Sequence, residues 1–244
     1  MTTTKQPGMV RRMVALARTP RRRRGFWFGL AIDALWLPLM LFTRQVWQEG
    51  QHVPRSGGVL LASNHVSFLD PISGTAFVLG QGRIPRYLAK SELWRIPVIG
   101  RVLAGGGHIP VHRRRPDPAA VYANAFAALD RGEAVVVYPE GTFTTEESGW
   151  PMRGRVGIAR MALTTGAPVI PIAHWGGQRV MRRGKVLPRL LPRATVHVVA
   201  GPPVDLSAYR DRPITAELLA EVTAVVMAAI TDVLARVRGE SPPA

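Results

Sequence analysis

Short runs of consecutive apolar residues alternate along this chain with longer stretches in which apolar residues recur every three or four positions. The short runs cover residues 59–61, 134–138, 168–172 and 195–199, lengths that suit strands buried on both faces. The longer stretches cover 72–79, 118–129, 156–165 and 215–237. The second closes on Arg131-Gly132 and the third on Gly166, both helix-stop signals. This alternation predicts an α/β fold, a single domain with a largely parallel central sheet flanked by helices. Ligands gather at the carboxyl ends of the strands in such sheets. His65, Glu140 and the loop after Ile172 are therefore expected to meet in one place.

Residues 25–42 break the pattern, with eighteen positions that include one charge, Asp33, and one proline, Pro38. That length is the lower limit for crossing a bilayer, and Asp33 at its middle is costly in hydrocarbon. The segment reads as a helix lying on a membrane surface rather than spanning it, with Trp27, Trp36 and Trp47 suited to the headgroup boundary. A signal peptide has the same order of regions, but Asp33 and Pro38 interrupt the apolar part and no small-residue cleavage site follows Phe42.

Charge sharpens this picture. The chain has 244 residues and a formal net charge of +16. Half of that excess lies in residues 1–24, where Lys5, Arg11, Arg12, Arg18 and residues 21–24 occur without an acid. A basic block beside an apolar wedge points to anionic membrane lipid as a partner. No nucleic acid is expected, because the block adjoins a membrane-like segment rather than a recognisable reading motif. Residues 1–47 are accordingly assigned to a basic and apolar membrane-anchoring segment and 48–244 to the α/β domain, which no repeat or long Ser/Gly linker divides. There is no cysteine, which excludes disulfides, thiolate metal sites and a cysteinyl acyl-enzyme. The sequence also lacks a G-x-S-x-G elbow, an H-E-x-x-H helix and a phosphate-binding G-x4-G-K-[ST] loop.

The heptapeptide Asn64-His65-Val66-Ser67-Phe68-Leu69-Asp70 carries the clearest chemistry. A neutral imidazole can take a proton from an alcohol, and a carboxylate on its other nitrogen fixes the tautomer and stabilises the cation. Five residues along a continuous helix would leave His65 and Asp70 roughly 140° apart, so a turn between them favours contact. Asp70-Pro71 reads as an N-cap followed by proline at the first helical position. Asp70 as a cap and His65 as a hydrogen-bonded loop residue is the alternative reading.

Four ordered blocks decide between these alternatives. His65 and Asp70 stand in the first. Gly107-His108-Ile109-Pro110-Val111-His112-Arg113, Tyr138-Pro139-Glu140-Gly141-Thr142 and Ala167-Pro168-Val169-Ile170-Pro171-Ile172 follow. Together they resemble the 1-acylglycerol-3-phosphate acyltransferase family, with its N-H-x4-D, G-x-I-x-V-x-R, F-P-E-G-T-R and V-P-x-x-P-V boxes. The resemblance runs from about Val59 to Val204. It implies transfer of a fatty acyl chain from acyl-CoA or acyl carrier protein to the sn-2 hydroxyl of lysophosphatidate, giving phosphatidate, on the cytoplasmic face of the cell membrane. It assigns proton transfer to His65 and Asp70, and acceptor binding to Arg113, Glu140, Gly141 and Thr142. No metal or bound cofactor is implied.

The chain departs from the family where Phe143 replaces the arginine after the threonine. One phosphate contact is lost, and Arg153, Arg155 and Arg160 stand downstream as replacements. The departure keeps another lysophospholipid or a glycolipid open as acceptor, and a non-catalytic basic membrane-binding protein is the rival of a different class. Arg113 is open between a phosphate clamp and a solvated basic patch. Glu140 is open between an acceptor contact and a loop-ordering role. Lys90 and the acid-free basic stretch 179–193 are open between anion binding and plain solvation.

Overall fold

The computed structural model describes residues 25–112, 118–181 and 187–243. Among the described residues, seven strands form one sheet in the order β1 (Thr43–Gln48), β7 (Ala194–Ala200), β6 (Val169–Trp175), β2 (Val59–Ser63), β5 (Ala134–Val137), β3 (Pro85–Lys90) and β4 (Ile109–Val111). Every pair is parallel except β6 with β7. The carboxyl ends of β2, β3, β4, β5 and β6 therefore share one edge, as the sequence pattern predicts.

β2 explains why the apolar runs are continuous rather than alternating. It lies between β5 and β6, with Leu61 opposite both Val136 and Ile170. All five of its residues are buried. One face of the sheet packs Leu61, Val136, Ile170 and Val198 under α1 (Phe26–Phe42) and α2 (Asp70–Gly80). The other packs Leu60, Val135 and Val169 against α4 (Pro118–Asp130), α5 (Gly157–Thr165) and α6 (Ala216–Arg238). α6 is capped at its start by Thr215, whose side chain accepts from the Leu218 amide, and at its end by Gly239 in the left-handed region. α6 is long and apolar enough to cross a membrane, yet it packs against β6 and buries Leu218, Leu219, Val222, Val226, Ile230 and Leu234. It is a core helix.

Three strands and one helix lie outside the apolar runs of the sequence. β3 and β4 contain prolines and sit at one side of the sheet, and α3 (Pro97–Gly105) packs against α1. β1 extends the sheet at the opposite edge and takes in residues 43–47, which the sequence pattern had joined to the anchoring segment. Trp47 consequently does not reach a headgroup boundary. It is buried, edge-on to Phe77 at 6.2 Å and tilted against Trp36 at 6.3 Å.

α1 buries Phe28, Ile32, Leu39 and Met40. Its other face exposes Phe26, Trp27, Leu30, Leu35, Leu37 and Leu41. Ile96, Val98 and Ile99, at the start of α3, are exposed as well. The basic residues 11–24 lie outside the described residues.

Candidate active site

β2 ends at Ser63, and the chain turns through residues 64–69 before α2 begins. Asp70 is the first residue of that helix, not its cap: Leu69 stands at the cap position and makes no side-chain cap bond. The Asp70 side chain instead reaches back across the turn. Its Oδ2 accepts from the Val66 amide at 2.7 Å, the Ser67 amide at 2.8 Å and His65 Nδ1 at 3.0 Å. With 1% of its surface exposed, the carboxylate is both the centre of the turn and the partner of the imidazole. Nδ1 then carries the proton, and Nε2 is left with a lone pair.

Two further segments converge on His65. β5 leads into Tyr138-Pro139-Glu140-Gly141, where Gly141 takes φ 71° and lets the chain double back. Glu140 is buried, and both carboxylate oxygens are engaged: Oε1 accepts from the His65 amide at 3.2 Å and Oε2 from the Met152 amide at 3.0 Å. Burial pushes its pKa up to about 7, against the opposing pull of these amide donors. Of its two expected roles, the observed contacts are those of loop ordering. The Thr144 amide donates to the His65 carbonyl at 2.8 Å, so the backbone of His65 is held on both sides. Thr142 is exposed on the turn, and Arg113 lies outside the described residues.

The imidazole is enclosed by rings. Tyr138 stacks on it with centroids 4.0 Å apart and planes 16° apart. Phe143 also lies 4.0 Å away, tilted by 35°, and the exposed Phe68 meets Phe143 at 4.4 Å. Phe143, which stood out in the sequence as a departure, is therefore part of the wall around His65.

β6 supplies the back of the site. Asn64 brackets His174, donating to its carbonyl at 3.0 Å and accepting from its amide at 2.7 Å, which continues the β2 to β6 pairing past the strand end. His174 is buried, and desolvation lowers its pKa to about 4, so it is neutral near pH 7. Its Nδ1, Asp70 Oδ1, Ser73 Oγ and Tyr138 Oη are buried without a hydrogen-bond partner among the described residues. Past β6, Gly177 approaches Asp70 so closely that a Cβ there would lie 3.2 Å from Oδ1. Any larger residue would push on the carboxylate that holds the turn.

The loop after Thr144 is fastened from a distance. Thr144 Oγ1 donates to the Trp150 carbonyl at 2.8 Å. The Arg238 guanidinium, from the end of α6, lies between Trp150 and Trp175 at 4.1 and 4.2 Å from their ring centroids and donates to the Ser148 carbonyl.

Residues 45–175, more than half of the chain, match the family model described as acyltransferase. The chain belongs to the acyltransferase family. A 1-acyl-sn-glycerol-3-phosphate acyltransferase of Bacillus subtilis is 33% identical over 143 residues, which are 56% of this chain and 66% of the relative. A lyso-ornithine lipid O-acyltransferase of Pseudomonas aeruginosa is 30% identical over 116 residues, 47% of this chain and 42% of the relative. This chain spans between 39% and 66% of the length of the first four curated relatives it matches. The crystal structure of a 1-acyl-sn-glycerophosphate acyltransferase from Thermotoga maritima shares the fold, with a TM-score of 0.67 at 19% identity over 96% of this chain and 89% of that one.

Within this acyltransferase domain the structure brings together His65, Asp70, Glu140 and Gly141 of the residues the sequence singled out. Asn64, Tyr138 and Phe143 stood in the motifs without a role. Gly177 and Met152 carried no motif, and only the Gly176-Gly177 pair straight after a strand signalled a close backbone approach.

Proposed function

We propose that this chain transfers a fatty acyl group from a thioester, acyl-CoA or acyl carrier protein, to the sn-2 hydroxyl of 1-acyl-sn-glycerol-3-phosphate, giving phosphatidate. The observation that carries the reading is the 3.0 Å contact of His65 Nδ1 with the buried Asp70 carboxylate, because it leaves Nε2 as a base at the sheet's carboxyl edge. Nε2 takes the proton of the acceptor hydroxyl as its oxygen attacks the thioester carbonyl. Asp70 stabilises the imidazolium formed. The carbon–sulfur bond then breaks, and the proton on Nε2 passes to the departing sulfur. Tyr138 and Phe143 hold the ring plane throughout.

The domain begins by residue 43 in this reading, since β1 belongs to the sheet, and the segment before it attaches the enzyme to anionic lipid on the cytoplasmic side, where the thioester donors are found. The exposed apolar face of α1 and the basic residues 11–24 support that placement. A second acceptor class has support from one observation, the phenyl ring of Phe143 against His65, and the relative named for a lyso-ornithine lipid belongs with it. Purified protein supplied with labelled acyl thioester and a panel of lyso-acceptors, its products read by lipid mass spectrometry, tests both readings. Phosphatidate formation that disappears in His65→Ala is the expected result, and product on lyso-ornithine lipid alone selects the second class.

A further inference from the structure

A phosphate on the acceptor lies only a few covalent bonds from the hydroxyl that reacts, so its counter-charge must stand close to Nε2 of His65. On the Phe143 side that neighbourhood is apolar: the ring lies against the imidazole and Phe68 covers its flank. The negative face of an aromatic ring disfavours an anion there. A cation has to come from another position in the same turn.

The geometry points to Arg155 as the residue that grips the acceptor's phosphate and sets the preference for a phosphate-bearing lyso-lipid, an assignment that rests on the acyl transfer proposed above. Arg155 is built into the turn that carries Glu140. Its amide donates to the Pro139 carbonyl at 2.8 Å, and its Nε donates to the Glu140 carbonyl at 3.4 Å. The Glu140 carboxylate receives the His65 amide, so a single residue links the guanidinium to the base. Anchoring through Nε leaves both terminal amino groups of the fork for two phosphate oxygens. The side chain is exposed, and no carboxylate lies within 4 Å of it among the described residues. The other downstream arginines lack this placement. Arg153 is exposed with no bond to the turn among the described residues, and Arg160 lies within α5, with its amide donating to the Val156 carbonyl.

Steady-state kinetics with 1-oleoyl-sn-glycerol-3-phosphate and with 1-oleoylglycerol, at a fixed thioester donor, tests the assignment. Arg155→Ala is expected to lower the ratio of kcat/KM for the phosphate acceptor over the phosphate-free one by roughly ten- to a hundredfold, mostly through KM of the phosphate acceptor. Arg155→Lys should recover part of it as a point charge without the fork. Inhibition of the phosphate-acceptor reaction by sn-glycerol 3-phosphate should weaken in the same order, and thermal unfolding confirms that each variant is folded. A folded Arg155→Ala enzyme that keeps the wild-type preference and the wild-type sensitivity to sn-glycerol 3-phosphate overturns the role of Arg155 alone. A wild-type enzyme that acylates only the phosphate-free acceptor overturns the reading beneath it as well.

Discussion

The turn around His65 and the outer face of α1 lie in the same domain and are built in opposite ways. At the turn, backbone amides, two carboxylates and two rings fix one imidazole from several sides. Along α1, six large apolar side chains stay exposed, with Arg101 lying over the ring of one of them, Trp27, at 5.5 Å. The first arrangement holds the imidazole through contacts among the described residues, as the base proposed for His65 requires before substrate arrives. In the function proposed above, the first supplies the chemistry and the second meets the bilayer.

The sharpest way to break this contrast is at His65. His65→Ala is expected to lower turnover by roughly 10²- to 10⁴-fold. Its stability should fall by the value of the lost ring contacts and of the lost bond to Asp70, about 2 to 3 kcal/mol. Turnover with labelled thioester, beside a thermal melt, gives both numbers, and a folded variant with wild-type turnover removes His65 from the mechanism.

Glu140 tests whether the turn is held by a carboxyl poised between two states. Its folded pKa of about 7 lies above the ordinary 4.5, so the folded chain keeps a proton that the unfolded chain releases. The stability this gives is fully present below pH 4.5 and is lost as pH rises to 7, a span worth about 3 kcal/mol at most. Burial of neutral His174 and His108 works the other way, adding stability as pH rises from about 4 to 6.5, so the test is the difference: urea midpoints measured from pH 4.5 to 8 should fall in the wild type relative to Glu140→Gln across that window. Parallel curves for the two proteins would place the titration elsewhere.

Asp70→Asn comes next. Three bonds to a charged oxygen become bonds to a neutral one, which is expected to cost about 2 kcal/mol in unfolding free energy along with much of the activity. Urea midpoints check this, and an Asp70→Asn protein as stable as the wild type would mean that the turn is held by something other than this carboxylate.

The smallest expected effects are on the other side of the contrast. Leu37→Ser and Leu41→Ser should each weaken binding to anionic vesicles by about 1 kcal/mol at every ionic strength. Neutralising residues 21–24 should instead flatten the salt dependence. Trp36 is a poor choice for this comparison, since its ring packs on Trp47 inside the protein. Liposome flotation at rising salt separates the two slopes, and unchanged binding of the leucine variants would put the lipid contact elsewhere.

How much of this was legible in the sequence follows from what makes each element. β2, β5, β6 and β7 are buried strands, and burial on both faces writes itself as a run of valine, leucine and isoleucine. β1 is an edge strand whose inward positions are Thr43, Gln45 and Trp47. Two of those are polar and satisfied locally, Gln45 donating to Thr43 Oγ1, so no apolar signal marks them. Trp47 was misread for a related reason: a tryptophan beside an apolar segment looks the same whether it meets lipid or Phe77. At the site, the His65 to Asp70 contact was legible because six residues of chain carry it. The enclosing contacts join residues tens of positions apart, as Glu140 does to His65, and spacing along the chain holds no record of them.

The guanidinium of Arg238 between Trp150 and Trp175 ties the order of synthesis to the order of assembly. Every segment that meets at His65 has been made by residue 181, yet the clasp that fastens the loop after Thr144 arrives only with residue 238. On the ribosome, the nascent chain therefore carries its imidazole, its carboxylate and its aromatic walls before it can lock them. That clasp cannot close until α6 has cleared the exit tunnel and folded down on β6, so the fastening of the loop after Thr144 waits on the far end of the sequence.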